Sequence, residues 1–366
     1  MDNDVELIFR SIVVDGDALT LEDIVGLIPL MVESLNIRME KDRTLGVRLR
    51  DFPHLNSLQL FIAHRFFSDE LGNYDVGRAN KFFNIATQLS SVKMSMPYHR
   101  TVRTVGVNLI QSLPSNLDRF IFEGEIPVPQ MLQMLEKFNR AKELGFMCRA
   151  LHSSPITVIP NNITSLDIRG NYHLGNKIVF HDGLIHLKLG DFVYVQNLHE
   201  QITKCKKLRS LSLSFIDLDK IFVDEILLLP ELHSLEIYNY ETCEGFYVNS
   251  TLRNLSLRLS GNEERMPFAC EYHKHKLYSL TLHNVQNCIA TLENIYKYQE
   301  QLTSLALYSE MKGFTYNNPQ QLNIDKVEQI IKKFKHLTDL SLLGFQTTIE
   351  EGRIQQLCNY INNKNT

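Results

Sequence analysis

Leu208-Arg209-Ser210-Leu211-Ser212-Leu213 is the stretch on which the fold turns. Its six-place pattern returns as Leu252-Arg253-Asn254-Leu255-Ser256-Leu257 and as Leu302-Thr303-Ser304-Leu305-Ala306-Leu307. The first, fourth and sixth places are apolar. In an extended segment neighbouring side chains point to opposite faces, so the fourth and sixth places share one face and the third, fifth and seventh share the other. Further copies start at Leu55, Ile163, Leu184, Leu232, Leu277 and Leu337, and looser ones at Val32, Leu89 and Leu117. A weak match starts at Leu144, where Arg149 falls on a core place. From Ile163 to Leu302 the starts recur roughly every 20–25 residues, and so steady a period marks a stacked array rather than chance leucines. Longer gaps follow Leu55, Leu89 and Leu302.

Helical periodicity fills the intervals. Leu198 to Cys205, Val223 to Leu228 and Val327 to Phe334 each carry an apolar helical stripe and stop just before the next copy. One strand–loop–helix unit cannot bury its apolar edge alone, whereas stacked units share a continuous core. The pattern resembles the leucine-rich-repeat family over residues 20–345. That resemblance implies an α/β solenoid, a curved horseshoe with a parallel β-sheet on its concave face and helices on its convex face. The helical connectors look more like the intracellular ribonuclease-inhibitor-like or F-box-associated type than the short extracellular type. In one respect the chain departs from the family. The Asn or Cys that usually follows the last strand leucine by three places is mostly missing, Asn171 excepted, so irregular turns are expected.

An open array exposes core at both ends and needs caps. Val5, Ile8, Phe9, Ile12 and Val13 fall at helical spacing, and Thr20 with Asp23 resembles a capping pair that opens a second helix through Leu30. Ile354, Leu357, Cys358 and Ile361 share one face of a closing helix. The expected organisation is an N-terminal helical cap over 1-31 that merges into the first repeat, then an irregular array over 32-345, then a capping helix and frayed tail over 346-366. The array holds about 12–13 repeats.

Composition narrows the function. Hydrophobic residues make up 44% and charged residues 22% of the chain, the balance of a folded globular protein. A net charge of −4 argues against a nucleic-acid partner. No run reaches the roughly 18–20 apolar residues of a membrane span. Asp2, Asp4 and Glu6 stand where a secretory signal carries bases. Cys148, Cys205, Cys243, Cys270, Cys288 and Cys358 form no close pairs. Together these features predict a cytoplasmic protein, the nucleus being the alternative compartment. The glycosylation triplets at Asn162, Asn249 and Asn254 are then accidental.

Catalytic signatures are absent: there is no G-x-x-x-x-G-K loop, no G-x-S-x-G elbow and no H-E-x-x-H. The chain is therefore expected to be no enzyme and to need no cofactor. Cys270-Glu271-Tyr272-His273-Lys274-His275, with His283 and Cys288, contains zinc-ligand types. Their spacing fits no standard site and Lys274 repels a cation, so the stretch reads as a solvated connector.

Function is expected on the face formed by the third, fifth and seventh places. Serine fills the third place at Ser34, Ser57, Ser91, Ser165, Ser210, Ser234, Ser279 and Ser304, which reads as a response to crowding on a curved sheet. The seventh place is richer: Arg38, Phe61, Arg169, Tyr238, Arg258, His283 and Tyr308. Tyr and Arg dominate interface hot spots, so Arg169, Lys188, Glu236, Tyr238, Arg258, His283 and Tyr308 are the expected partner contacts. Lys93, Arg119 and Lys188 add scattered charge but no basic stripe. The loop Ser309 to Pro319, rich in Gly, Asn and Pro, is a second contact candidate, and the intervals 61-88 and 308-336 are long enough for insertions.

The leading function is a scaffold or receptor for another protein. A rival is a substrate-recognition subunit of a ubiquitin ligase, with a degenerate F-box at Val5 to Leu30 docking an adaptor. It lacks the opening Leu-Pro, the chain has no Trp, and little length precedes Val32. Regulation of a small GTPase shares only the fold with this pattern. A pathogen effector that captures a host protein suits the Asn-, Ile- and Lys-rich stretches.

Overall fold

A computed structural model describes residues 11–15, 34–39, 54–62, 89–95, 113–149, 157–169, 172–175, 178–190, 193–195, 197–214, 220–240, 251–259, 277–285, 287–299, 301–309, 323–345 and 351–363. The chain divides into two compact units, Met1–Leu184 with Lys188–Asn197 and Ile185–Leu187 with Leu198–Thr366.

In the first unit each repeat contributes one short strand: β1 (Ser11–Asp15), β2 (Ser34–Met39), β3 (Ser57–Ile62), β4 (Ser91–Ser95) and β5 (Arg119–Pro127). Helix α1 (Val128–Lys137) and strands β6 (Glu143–Arg149), β7 (Thr157–Val158) and β8 (Ser165–Arg169) follow. Beyond them lie β9 (Tyr172–Gly175), β10 (Ile178–Val179), β11 (His186–Leu189), where the units divide, and β12 (Val193–Val195). Strands β1 to β6 and then β8 pair in parallel, third place on third place: Ser34 with Ser57, Ser91 with Arg119, Glu143 with Ser165. Two side ladders, β7 with β10 and β9 with β12, are also parallel.

The second unit repeats the scheme. It runs α2 (Leu198–Lys204), β13 (Ser210–Leu213), α3 (Lys220–Leu227), β14 (Ser234–Tyr240), β15 (Asn254–Leu259) and β16 (Ser279–His283). Helix α4 (Cys288–Tyr298), β17 (Ser304–Tyr308), α5 (Ile324–Ile331), β18 (Asp339–Leu343) and α6 (Glu351–Asn362) complete it. Strands β13 to β18 pair in parallel in sequence order. Asn287 and Asn323 start α4 and α5 by accepting hydrogen bonds from Ala290 N–H and Lys326 N–H. Each unit is thus an α/β array of leucine-rich repeats built on a parallel sheet.

Burial follows the leucines. The first, fourth and sixth places are sealed, as at Leu252, Leu255 and Leu257 and at Leu302, Leu305 and Leu307. Phe120, Phe122 and Phe138 fill the core beside α1. Register is locked by a regular backbone device. The second-place carbonyl of one repeat accepts from both the second- and third-place N–H of the next: Arg209 from His233 and Ser234, His233 from Arg253 and Asn254, Tyr278 from Thr303 and Ser304.

Other side chains tie the connectors to neighbouring repeats. Asn162 Nδ2 donates to Ala141 O at 2.6 Å and Thr251 Oγ1 to Leu232 O at 2.9 Å. His181 meets Ile163 O, and buried Gln299 accepts from Leu277 N–H. Each joins a connector to the first-place backbone of the repeat before it, so a buried polar group finds its partner.

Three expectations are corrected. Leu144 is a fourth place, not a first: Glu143 pairs with Arg119, and the repeat opens at Ala141, which is fully buried. Arg149 therefore never falls on the sixth place; Phe146 holds it. Ile12 and Val13 belong to β1, which pairs with β2 from Ser11 opposite Ser34, and not to a helix. The sequence was ambiguous there because a short apolar run satisfies both periods. At the other end α6 buries Ile354, Leu357, Cys358 and Ile361. Asn362 accepts from Leu340 N–H at 2.8 Å and donates to Leu340 O at 3.5 Å, occupying the outer edge of β18.

Val5, Ile8 and Phe9, the segment from Thr20 to Leu30, Asn171, Asn249, Cys243, the stretch Cys270 to His275 and the tail after Asn363 lie outside the described residues, as do 63–88 and 310–322.

Candidate protein-binding face

Alternation puts the third, fifth and seventh places of β14 to β17 on one half-exposed surface, opposite the buried leucines. Side-chain size then shapes it. The third places are Ser234, Asn254 and Ser279, and the fifth places of β15 and β16 are Ser256 and Thr281. These short side chains form the floor of an open groove of about 380 Å³, whose border includes Glu236, His283 and Tyr308.

The wall is aromatic. His283 and Tyr308 occupy paired seventh places of β16 and β17, and their rings stack with centroids 4.6 Å apart at 11°. Tyr238 on β14 approaches His283 at 6.3 Å. The row continues to Leu343, which pairs with Tyr308 and is 54% exposed. Glu236 is oriented by two hydroxyls. Ser212 Oγ donates to one carboxylate oxygen at 2.6 Å and Tyr238 Oη to the other at 2.6 Å. At the far strand Ser304 Oγ donates to Asp339 at 2.8 Å.

Of the expected contacts, Glu236, His283 and Tyr308 line this groove, and Tyr238 stands beside it, bonded to Glu236 and near His283. Arg258 holds the seventh place of β15, paired with His283, but does not line it. Arg169 belongs to the first unit. Its guanidinium reaches Asp167 at 2.7 Å and Glu123 at 3.9 Å, and its stem lies over Gly190, where a Cβ would sit 3.3 Å from Cγ. Lys188 is half-buried on β11.

The sequence pattern undervalued the small residues. Asn254, Ser256, Ser279 and Thr281 make the hollow, and the serine ladder is what gives the rings a cleft to border. Leu343 was missed because it interrupts a polar and aromatic row.

Among the described residues no three His, Cys, Asp or Glu side chains are placed to hold a metal ion. The described cysteines Cys205, Cys288 and Cys358 are buried thiols, and burial pushes Cys288 up to about 12. No described helix is long and apolar enough to cross a membrane.

No protein-family model matches the chain, and no curated protein matches it. Among solved structures it is similar to an internalin (InlF) from Listeria monocytogenes str. 4b F2365, with 15% identity, 91% of this chain and 86% of that chain covered, and a TM-score of 0.32. It is also similar to the leucine-rich repeat-containing protein LegL7 from Legionella pneumophila, with 12% identity, coverage of 90% and 80%, and a TM-score of 0.25.

Proposed function

We propose that the chain is a non-catalytic protein-interaction scaffold whose partner docks on the groove-bearing face of the second unit. The observation that carries this is the union of a hydroxyl-rich hollow with an aromatic row, Tyr238, His283 and Tyr308, on one sheet face. Large rings beside a cleft supply contact area at little entropic cost, as hot spots require. Arg258 adds a cation at the rim; Arg169 and Lys188 become contacts only for a partner that also covers their strands. The ligase reading draws on residues 5–30, and β1 takes Ser11 to Asp15 out of any helical box.

The test is affinity capture with the wild type and a Tyr238→Ala, Arg258→Ala, Tyr308→Ala variant, matched for circular dichroism and melting. A partner bound by the wild type and lost from the variant is the expected result. Partners that survive the triple change overturn the assignment of this face. A variant lacking residues 1–19 serves as the second arm, and loss of a ubiquitin-ligase adaptor with it transfers the function to the N-terminal segment.

A further inference from the structure

Away from the groove, the second unit has a cationic edge where its strands begin. The second-place residues Arg209, His233, Arg253 and Tyr278 stand on consecutive strands: Arg209 O accepts from His233 N–H, His233 O from Arg253 N–H, and Arg253 O from Tyr278 N–H. Lys206 and Lys207 come just before this row and are exposed, as are Arg209, His233 and Tyr278. Among the described residues of this edge the carboxylate is Glu231, which accepts from Arg209 Nε at 3.1 Å. Lys206, Lys207 and Arg253 form no ion pair with a described residue. Arg253 instead lies over the Tyr278 ring, 5.1 Å from its centroid, a contact that steadies the guanidinium without neutralising it.

The row is bounded on both sides. Before it stands uncharged Ile185, whose carbonyl accepts from Arg209 N–H. After it stand Thr303 and Thr338, whose hydroxyls are turned onto Tyr278 O and Thr303 O. In the first unit the corresponding places are mixed, with Lys142 following Asp118 on the next strand.

We propose that this edge binds a short acidic segment of a partner protein, one carboxylate on Arg253 and another on Arg209, with Lys206 and Lys207 beside them. A guanidinium fork meets a carboxylate through two parallel charge-assisted N–H bonds, and ring stacking pre-orients the fork of Arg253 for that contact. Arg209 shows the same chemistry in its bond to Glu231 through Nε, and its terminal nitrogens hold no described acceptor. The two arginines are two strand spacings apart, about 10 Å, which about three residues of extended chain span. The whole chain carries a net charge of −4, so these cations make a local attractive field on an acidic background. A segment of a few residues stays within that field, whereas a long polyanion overruns it at Ile185 and Thr303.

The test depletes a displayed library of random heptapeptides on an immobilised Lys206→Glu, Lys207→Glu, Arg253→Glu variant of the full chain, then sorts it on the wild type. Enriched peptides are titrated by fluorescence anisotropy. They are expected to carry two or more Asp or Glu about three positions apart and to bind less tightly as ionic strength rises. Arg253→Gln is expected to weaken them tenfold or more, and Arg253→Lys, which keeps the charge and loses the fork, by an intermediate factor. Lys142→Gln, at a strand start of the first unit, is the unaffected control. If circular dichroism shows the triple reversal misfolded, Lys207→Gln with Arg253→Gln replaces it in the depletion. Enrichment without acids, acidic peptides that bind the Gln variants as tightly as the wild type, or no enrichment at all overturns the inference. So does an oligothymidylate that outbinds every enriched peptide and is lost with the same variants, which assigns the edge to nucleic acid. The capture experiment decides separately whether the groove face docks a partner.

Discussion

On the open face of the first unit, charges meet each other. Lys93 pairs with Glu123 at 3.0 Å, Arg119 with Glu143 at 2.8 Å, and Arg169 with Asp167 and Glu123. On the same face of the second unit, the equivalent places of β15 and β16 hold Asn254, Ser256, Ser279 and Thr281, and a groove opens above them. Below both faces lie the same buried places, Leu166 and Ile168 in one unit and Leu280 and Leu282 in the other. The leucines therefore specify the architecture and are silent about partners. The third, fifth and seventh places decide whether a face closes on itself through ion pairs or is hollowed for something else.

If the buried face is common to both units, Leu166→Ala and Leu280→Ala should be equally damaging. Each leucine is no more than 1% exposed, and each truncation is expected to cost about 2–5 kcal/mol. Urea unfolding followed by circular dichroism reads both, and a clear inequality breaks the comparison at its base.

The second unit carries an alkaline weakness. Burial raises the Cys288 thiol from 9.0 to about 12. Because the folded value is the higher one, the folded state binds the extra proton between those limits. Stability is fully present below pH about 9 and falls by up to about 1.4 kcal/mol per pH unit as pH climbs toward 12. Melting temperatures should drop across that window more steeply for the wild type than for Cys288→Ala.

Filling the hollow sharpens the contrast. Ser256→Arg is expected to reduce partner binding at least tenfold, equivalent to about 1.4 kcal/mol, while stability moves by no more than about 0.5 kcal/mol, as for other surface changes. Retained affinity moves the docking site elsewhere. The smallest effect belongs to the first unit. Arg169→Met breaks half-exposed pairs and should cost about 0.2–1 kcal/mol, most of it gone at high salt, with partner binding unchanged. A large, salt-independent loss means that the ion pairs do more than cover the surface.

The repeat was legible in the sequence wherever leucine held the first place, and from Ile163 onward the strands begin at the expected third places. It was illegible at Ala141, because a buried alanine plugs the same position without announcing it. It was misleading at Ile12 and Val13, where apolar residues satisfy a helical count until the pairing with β2 decides. The rings of the candidate site could be picked out residue by residue. The groove could not, since it arises from what neighbouring strands lack, and a hollow belongs to no single position. The cross-links of Asn162, Thr251 and Gln299 escaped for a similar reason: family spacing directs attention three places after the strand, and these side chains sit just before the next one.

Asp339 N–H points toward Thr303, so the next residue, Leu340, turns its N–H and C=O away from β17. A bare strand edge of that kind is a template on which another chain can pair. The Asn362 carboxamide offers one donor and one acceptor to those two groups, as an incoming strand would. In polymer terms it acts as an end group: a helix supplies one peptide-like unit that takes the place of an incoming strand at Leu340.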